Sequence, residues 1–411
     1  MTIDIMADNA TTAADGFITP MASESARAGE ERTKAEFTGT AAQYFRIWMV
    51  NMLLTIITVG FYSPWAKVRN KRYFYGSAWL SGANFEYHAK PLAILVARLV
   101  LLAMFVAIPY GVSMGDFHNI GYFLILAVFL PWALVRGLAF NARNSSFAGM
   151  RFSFKCDFVP IYLIYSPVLI FSGLFFDAFL PDGFLLDFHW TKIGKNIWAV
   201  CTLLFLLSLP LPLLVRAYHS YKAGRHKLGG LRFYLHKPPV SGYYGALIVP
   251  LLCAMGIVVL VVGLMLFIAF KLGFDKPGGG ITGYIGFINI STVLLSAVVF
   301  VQFSRAALLR LFWGNLRARN DKFEGRFVCD INILHFAFLI LLVNVAAVIM
   351  SLGLLHPWAK IRKTKYLVQH IHIIAPTGAM SSLAAREGKK ELPLGEELEV
   401  AEGFDFDVGL I

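Results

Sequence analysis

The chain has 411 residues, of which 57% are hydrophobic and 15% are charged, and its formal net charge is +12. Soluble domains carry about 25% charged residues, so this composition excludes a large soluble globule. Several apolar stretches are long enough for a membrane-spanning helix, which needs about 20 residues. They cover residues 42–62, 92–113, 121–135, 158–176, 197–215, 243–270, 284–303 and 334–355. We therefore predict an all-α fold, a polytopic transmembrane helix bundle of about eight spans.

Polar, acidic segments flank the apolar region and divide the chain into three parts. Residues 1–36 and 376–411 are predicted to be disordered acidic tails, because segments this polar cannot form a core. Residues 37–375 form the predicted membrane domain. No basic start followed by an apolar core precedes the first span, so we expect that span to act as its own insertion signal.

Several classes of site and partner are excluded by residue spacing. The four cysteines are scattered and the histidines match no zinc template, so we predict no metal and no cofactor. No pair of a nucleophile and a base shares a helical face, which argues against an enzyme. The lysines and arginines lie beside the spans and form no separate basic domain, so nucleic acid is not a predicted partner.

A proline-tryptophan motif recurs at the ends of spans. Pro-Trp-Ala begins at Pro64, Pro131 and Pro357, and an arginine lies five positions after each proline. Tryptophan rings favour the headgroup level of a bilayer, and lysine or arginine binds anionic headgroups. Each copy is therefore expected to lie at the membrane surface. The predicted interfacial anchors are Trp65, Trp132 and Trp358.

A short glycine-containing element lies in each of the first four basic loops, which follow spans 1, 3, 5 and 7. The sequences GANFEY, GMRFSF and GLRFYL lie at residues 82–87, 149–154 and 230–235, with a looser copy at 323–327. Their alternating apolar and polar positions predict short strand-like elements in the loops between spans. Four to five copies of one unit predict a quasi-symmetric bundle.

The segment from Tyr44 to Gly76, followed by GANFEYHA and FAGMRFSF, resembles the YjgN family of bacterial inner-membrane proteins. The resemblance covers most of the chain between Phe37 and Tyr366. It implies a multi-pass protein of the bacterial inner membrane. It implies no catalytic or binding residue, because the family is defined as a domain of unknown function.

The charge distribution predicts the orientation, with one conflict. Lysine and arginine concentrate in the loops after spans 1, 3, 5 and 7, which places those loops in the cytoplasm. Eight crossings would place both termini outside, and the basic cluster that begins at Lys360 would then lie on the wrong side. The conflict disappears if spans 1 and 8 are re-entrant or interfacial.

A few polar residues inside the spans are candidates for binding a substrate or a lipid. Arg98 lies inside span 2, where it either binds an anionic group or extends to the interface. Asn51 and Asn344 either join neighbouring helices or coordinate an ion. The arginines that follow the spans either anchor on lipid or converge into an anion-binding ring. These arginines are Arg69, Arg136, Arg216 and Arg362.

Two functions are compatible with these features. The first is a transporter or channel-like protein for a small solute or a lipid, built from repeats around a site at the bilayer midplane. The alternative is a non-transporting scaffold or envelope-homeostasis factor that binds anionic lipid at the cytoplasmic face, or a protein partner. A water-accessible polar cavity between repeats would favour the first.

Overall fold

The computed structural model describes residues 30–112, 118–179, 209–271, 281–321 and 323–384. Strands and helices both recur along this part of the chain. The strands are β1 (Glu30–Phe37), β2 (Ala78–Leu80), β3 (Ala83–Tyr87), β4 (Ser145–Phe147), β5 (Met150–Phe154), β6 (His226–Leu228), β7 (Leu231–Leu235), β8 (Leu316–Arg319), β9 (Glu324–Cys329) and β10 (Ile371–Pro376). The helices are α1 (Ala41–Ile57), α2 (Ser63–Gly76), α3 (Pro91–Val112), α4 (His118–Arg143), α5 (Phe158–Phe179), α6 (Leu211–Arg225), α7 (Val240–Lys271), α8 (Ile281–Asn315), α9 (Ile333–Met350), α10 (His356–His370) and α11 (Ala379–Ala384).

The ten strands form one closed antiparallel β-barrel, in which sequential strands pair and β1 closes the barrel between β2 and β10. The all-α prediction is therefore wrong. Most of these strands have only three to six residues, and isolated short hairpins are marginal in water. Their stability comes from pairing across segments far apart in sequence, which a local apolar pattern does not reveal.

Five helical hairpins connect the strands. The chain leaves the barrel through α1, α3, α5, α7 and α9 and returns through α2, α4, α6, α8 and α10. Each helix packs against the helix before it and the helix after it, and α10 packs against α1. The described helices thus form a closed ring above the β-barrel. The repeat seen in the sequence is one helical hairpin followed by one strand hairpin.

Backbone hydrogen bonds join the helices to the barrel at the same place in all five units. In each unit, the residue just after the strand that leads into a helical hairpin donates its backbone N–H to the carbonyl oxygen of the residue just before the strand that follows the hairpin. The bond from Thr38 to Ser77, for example, measures 2.9 Å. The equivalent bonds run from His88 to Asn144, Lys155 to Arg225, His236 to Asn315 and Asp330 to His370, at 2.8 to 3.0 Å.

Two of the strand hairpins need a left-handed backbone at both turn residues. Ser81 and Gly82 have φ of 50° and 82°, and Ala148 and Gly149 have φ of 49° and 74°. Positive φ at both central residues is the signature of a type I′ turn, which matches the twist of paired strands. The glycine of GANFEY and of GMRFSF is therefore the second residue of the turn.

The barrel interior is a continuous apolar core. Side chains that point inward from all ten strands join one cluster, including Leu80, Phe147 and Leu231. Phe85 packs on Phe147 with ring centroids 4.8 Å apart. Met380 and Leu383 of α11 belong to the same cluster, so α11 covers the barrel at the end that carries the strand turns. The barrel is a packed core and no open pore passes through its described residues.

The predicted tails have different boundaries in the structure. β1 begins at Glu30, inside the segment assigned to the N-terminal tail, and supplies one strand of the barrel. α11 lies inside the segment assigned to the C-terminal tail. Residues 1–29 and 385–411 of the tails, and residues 197–208 of the predicted fifth span, lie outside the described residues.

Closure of the barrel also overturns the prediction of eight spans. The chain leaves the barrel after β1 and returns to it at β2, so it crosses the membrane an even number of times between them. The same holds for each of the five helical hairpins, which excludes single crossings by residues 42–62 and 334–355. In the described part of the chain, three helices are long and apolar enough to span a bilayer: Val240–Met265, Thr292–Asn315 and Ile333–Met350.

The first and last hairpins reverse direction at matching turns. Val59 and Gly60 have φ of 49° and 90°, and Leu352 and Gly353 have φ of 49° and 93°. The polar helices α2 and α10 then run back beside α1 and α9. Because α2 and α10 are polar, this geometry favours the re-entrant or interfacial alternative for spans 1 and 8. That placement, and with it the side of the membrane on which the cluster at Lys360 lies, stays a prediction.

The topology predicts that the α6 surface and the end of the barrel lie on one side of the membrane. We expect single cysteines at Ser220 and Ser381, in a chain without native cysteines, to resist an impermeant maleimide in intact spheroplasts and to react after permeabilisation. A cysteine at Lys271, where α7 ends, is the control and should react from outside, because α7 is long and apolar enough to cross the bilayer. Labelling of Ser220 and Ser381 from opposite sides would contradict the even number of crossings.

A second prediction concerns acid stability of the barrel. His226 begins β6, its Nδ1 lies 2.7 Å from the Lys222 carbonyl oxygen, and burial lowers its pKa to about 4. Between the unfolded pKa of about 6.5 and about 4 the unfolded chain binds more protons, so stability falls as pH falls through this window. We expect His226→Gln to reduce the drop in the unfolding midpoint between pH 7.5 and pH 5. The exposed His236→Gln is the control and should leave that drop unchanged.

Candidate functional site

The turn of the first hairpin leaves a groove against α3. The groove has a volume of about 280 Å³ and is lined by Thr58, Phe61, Tyr62, Trp65 and Leu95. This volume is close to the lower end for small-molecule sites, which is about 300 Å³. The Tyr62 and Trp65 rings stack with centroids 6.1 Å apart. The groove therefore presents an aromatic and aliphatic wall to an apolar ligand.

Arg98 lies at the edge of this groove. It follows Leu95 by three residues, so the two side chains share a face of α3. The Arg98 side chain is exposed, and its Nη1 donates a hydrogen bond of 2.5 Å to Ser63 Oγ at the start of α2. A guanidinium carries five N–H donors, so further donors are available to an anion. The sequence identified Arg98 and Trp65 separately, and the structure brings them to one site.

The other two tryptophans stack on arginines of their own helices. The Arg136 guanidinium lies 5.7 Å from the Trp132 ring, and that of Arg362 lies 5.1 Å from the Trp358 ring. The Pro-Trp-x-x-x-Arg spacing puts both side chains on one helical face. The prolines of the motif, Pro64, Pro131 and Pro357, are fully buried. The role of the tryptophans as interfacial anchors stays a prediction.

The four arginines of the predicted ring have different surroundings. Arg69 is exposed, and Arg216 Nε donates to the Pro238 carbonyl oxygen at 3.0 Å. Arg136 contacts Trp132 and Phe158, whereas Arg362 contacts the side chain of Asn344. None of the four lines the groove beside Arg98. Their convergence on an anion stays a prediction.

Asn51 and Asn344 each join the two arms of a hairpin. Asn51 is 3% exposed, and its Nδ2 donates to Asn70 Oδ1 at 3.0 Å. Asn344 is 7% exposed, and its Nδ2 donates to the Ala359 carbonyl oxygen at 3.0 Å. Bonds of this kind are worth about 0.6 to 2 kcal/mol between membrane helices. The matched asparagines hold the first and last hairpins in the same way.

The ends of these two hairpins are unusually exposed and apolar. Val59 and Leu352 are 89% and 94% exposed, and Ile57 and Met350 are also exposed. Single apolar residues at a surface need no explanation, but a contiguous patch indicates contact with a membrane or a partner. Hydropathy alone did not distinguish these exposed turns from the continuous interior of a membrane span. The sequence signal for the turns was the glycine late in each apolar segment, Gly60 or Gly353.

A second groove lies between α4 and α5. Its volume is about 520 Å³, and Val128, Val159, Tyr162 and Ile170 contribute to its apolar lining. The Tyr162 hydroxyl donates to the Val128 carbonyl oxygen. No charged side chain lines this groove, so it offers nothing to orient an anionic ligand. Metal-ligand clusters of three or more His, Cys, Asp or Glu residues do not occur within the described ranges.

Comparison with known proteins identifies the family to which the chain is similar. A family model described as a bacterial protein of unknown function (DUF898) matches residues 32–401. An inner membrane protein YjgN of Salmonella typhimurium is 26% identical, over 90% of this chain and 94% of that protein. Inner membrane proteins YjgN of Escherichia coli O157:H7 and K12 are 37% and 36% identical, over 34% of this chain and 35% of theirs. No solved structure matches.

These matches extend through the barrel strands as well as the helices, since the family model begins within β1 and ends beyond β10. The resemblance in the repeated motifs is thus confirmed, and the relatives place the chain in the bacterial inner membrane. The protein belongs to the DUF898 family of bacterial inner-membrane proteins.

Proposed function

We propose that this protein binds anionic phospholipid of the cytoplasmic leaflet in the groove beside Arg98. The observation that carries the proposal is an exposed guanidinium at the edge of an aromatic groove, beside the turn of the first helical hairpin. A phospholipid offers a charged phosphate and apolar chains. The Arg98 guanidinium matches the phosphate, and Phe61, Trp65 and Leu95 match the chains.

The orientation follows from charge. In this proposal the four strand hairpins and the β1–β10 pair lie on one side of the membrane, because the ten strands form one closed barrel. The returning segments α2, α6 and α10 carry lysines and arginines and no acidic residue. By the positive-inside rule this side is the cytoplasm. The first and last hairpins then enter the cytoplasmic leaflet, where anionic headgroups are available to Arg98.

The packed barrel favours lipid binding over conduction through the axis. A solute moving along the axis would meet the apolar core formed by all ten strands and α11. Transport along that route would require the core to open. A lateral groove that faces the bilayer requires no such opening, because a lipid enters it from the membrane. Lipid binding therefore suits both the lipid-transporting and the scaffold interpretation of the sequence.

The proposal is tested by measuring lipid retention on the purified protein. We expect Arg98→Gln to weaken binding of phosphatidylglycerol about tenfold or more, because a hydrogen bond to a charged group contributes about 1.5 to 3 kcal/mol. Native mass spectrometry of delipidated protein titrated with phosphatidylglycerol or phosphatidylcholine gives the two affinities. The preference for the anionic lipid should fall in the variant.

Arg46 provides the matched control, because it is an exposed arginine on α1 that does not line the groove. Arg46→Gln should retain the wild-type preference for phosphatidylglycerol. Equal losses in both variants would mean that lipid selection reflects general surface charge, and no loss in Arg98→Gln would overturn the proposal.

A further inference from the structure

One outer face of the barrel is strongly basic. Inward side chains such as Leu228, Leu231 and Ala318 belong to the barrel core, and side chains alternate along a strand, so their neighbours point outward. The outward set on β5 to β9 contains six cations. They are Arg151, Lys227, Arg232, Arg317, Arg319 and Arg326. We call these residues the basic face.

The strand register places several of these cations directly opposite one another. Arg232 on β7 pairs with Lys227 on β6 and with Arg319 on β8, so three cations lie in one line across three strands. Arg317 pairs with Arg326 on the next strand. Directly opposed side chains have Cβ atoms about 4.5 to 5.5 Å apart, and like charges there destabilise a sheet. The barrel therefore gains stability when an anion covers this face.

Acidic groups within the described residues neutralise only part of the basic face. Arg326 forms an ion pair with Glu30 at 3.2 Å. Glu324 lies opposite Arg319 and accepts a hydrogen bond from the Tyr234 hydroxyl. Across the ranges that the structure describes, Lys227 and Arg232 form no ion pair. The positive charge that these acidic groups leave unneutralised favours binding of an acidic peptide segment.

The position of the basic face excludes the lipid of the surrounding membrane. Arg151, Lys227, Arg232 and Arg319 lie within two residues of the strand turns, at the end of the barrel farthest from the helical ring. Arg326 lies on β9, opposite Arg317 and two residues after Glu324, which begins the strand at that end. α11 covers the same end of the barrel and ends at Ala384, where residues 385–411 begin.

We propose that the acidic C-terminal segment, residues 385–411, docks on the basic face of the barrel in the same chain. This segment carries eight acidic and three basic residues, with the acids concentrated from Glu396 to Asp407. An extended chain covers about 3.3 Å per residue, so this stretch reaches the basic face from Ala384. Covalent tethering gives it a high effective concentration, about millimolar for a short flexible link.

The interaction is electrostatic and depends on salt. At an ionic strength of 1 M the screening length falls to about 3 Å, so docking should be lost. The docked segment also covers a surface that attracts other polyanions, such as nucleic acid or an acidic protein.

Crosslinking between two cysteines tests the proposal on the full chain without native cysteines. Leu398→Cys lies between two glutamates of the tail, and Ser153→Cys lies on β5 directly opposite Lys227. We expect a short bismaleimide to join these two within one chain at low salt and to fail at 1 M NaCl. Asn84→Cys on β3, across the barrel from β8, is the matched control and should crosslink to Cys at 398 at least fivefold less.

Charge reversal supplies a second readout. Arg232→Glu combined with Arg319→Glu changes two exposed side chains, so folding should be retained, as checked by the unfolding midpoint, and the crosslink to position 398 should be lost. Four outcomes would each overturn the proposal. The crosslink to position 398 could form equally from positions 153 and 84, or it could be unchanged at 1 M NaCl. It could also survive the charge reversal, or join two chains instead of one.

Discussion

Pairing of β1 with β10 is the interaction on which the rest of the structure depends. It closes the barrel and brings residues near both ends of the described chain together, with Glu30 opposite Pro376 and Lys34 opposite His372. Closure leaves no unpaired strand edge, which in an open sheet would invite association with other chains. It also requires every helical hairpin to return to the side from which it left. The membrane topology is therefore a consequence of strand pairing as much as of hydropathy.

The five repeated units are alike where the helices join the barrel and differ in the lengths of their helical hairpins. The five backbone bonds at the base of the helical ring, such as the bond from His88 to Asn144, repeat in every unit and fix where each helix leaves the barrel. The helical hairpins above them differ. α7 and α8 are long, whereas α1 and α2 are short and end in an exposed turn at Val59. The groove beside Arg98 exists because a short hairpin lies next to the longer α3.

The barrel itself carries two separate surfaces. Its interior is an apolar core that resists opening, and its outer face on β5 to β9 carries opposed cations that need an anion. The first contributes stability and the second offers a place for an acidic segment. Because the groove and the basic face lie at opposite ends of the helix-barrel axis, lipid binding and docking of the tail are distinct properties of one fold.

The sequence by itself determined the membrane class, the repeated unit and the positions of the short strand-like elements, because hydropathy and spacing are local properties. It singled out Arg98 and Trp65 as candidates, from the cost of a charge in lipid and the preference of tryptophan for the membrane interface. It also contained the charge conflict at Lys360, which counted against single crossings by spans 1 and 8. Only the tertiary structure decided that the strand-like elements close into a barrel, that α1 and α9 are followed by returning helices, and that Ser63 meets Arg98. Strands of three residues have no stable existence alone, so their pairing is a property of the assembled chain and could not be predicted from any one segment.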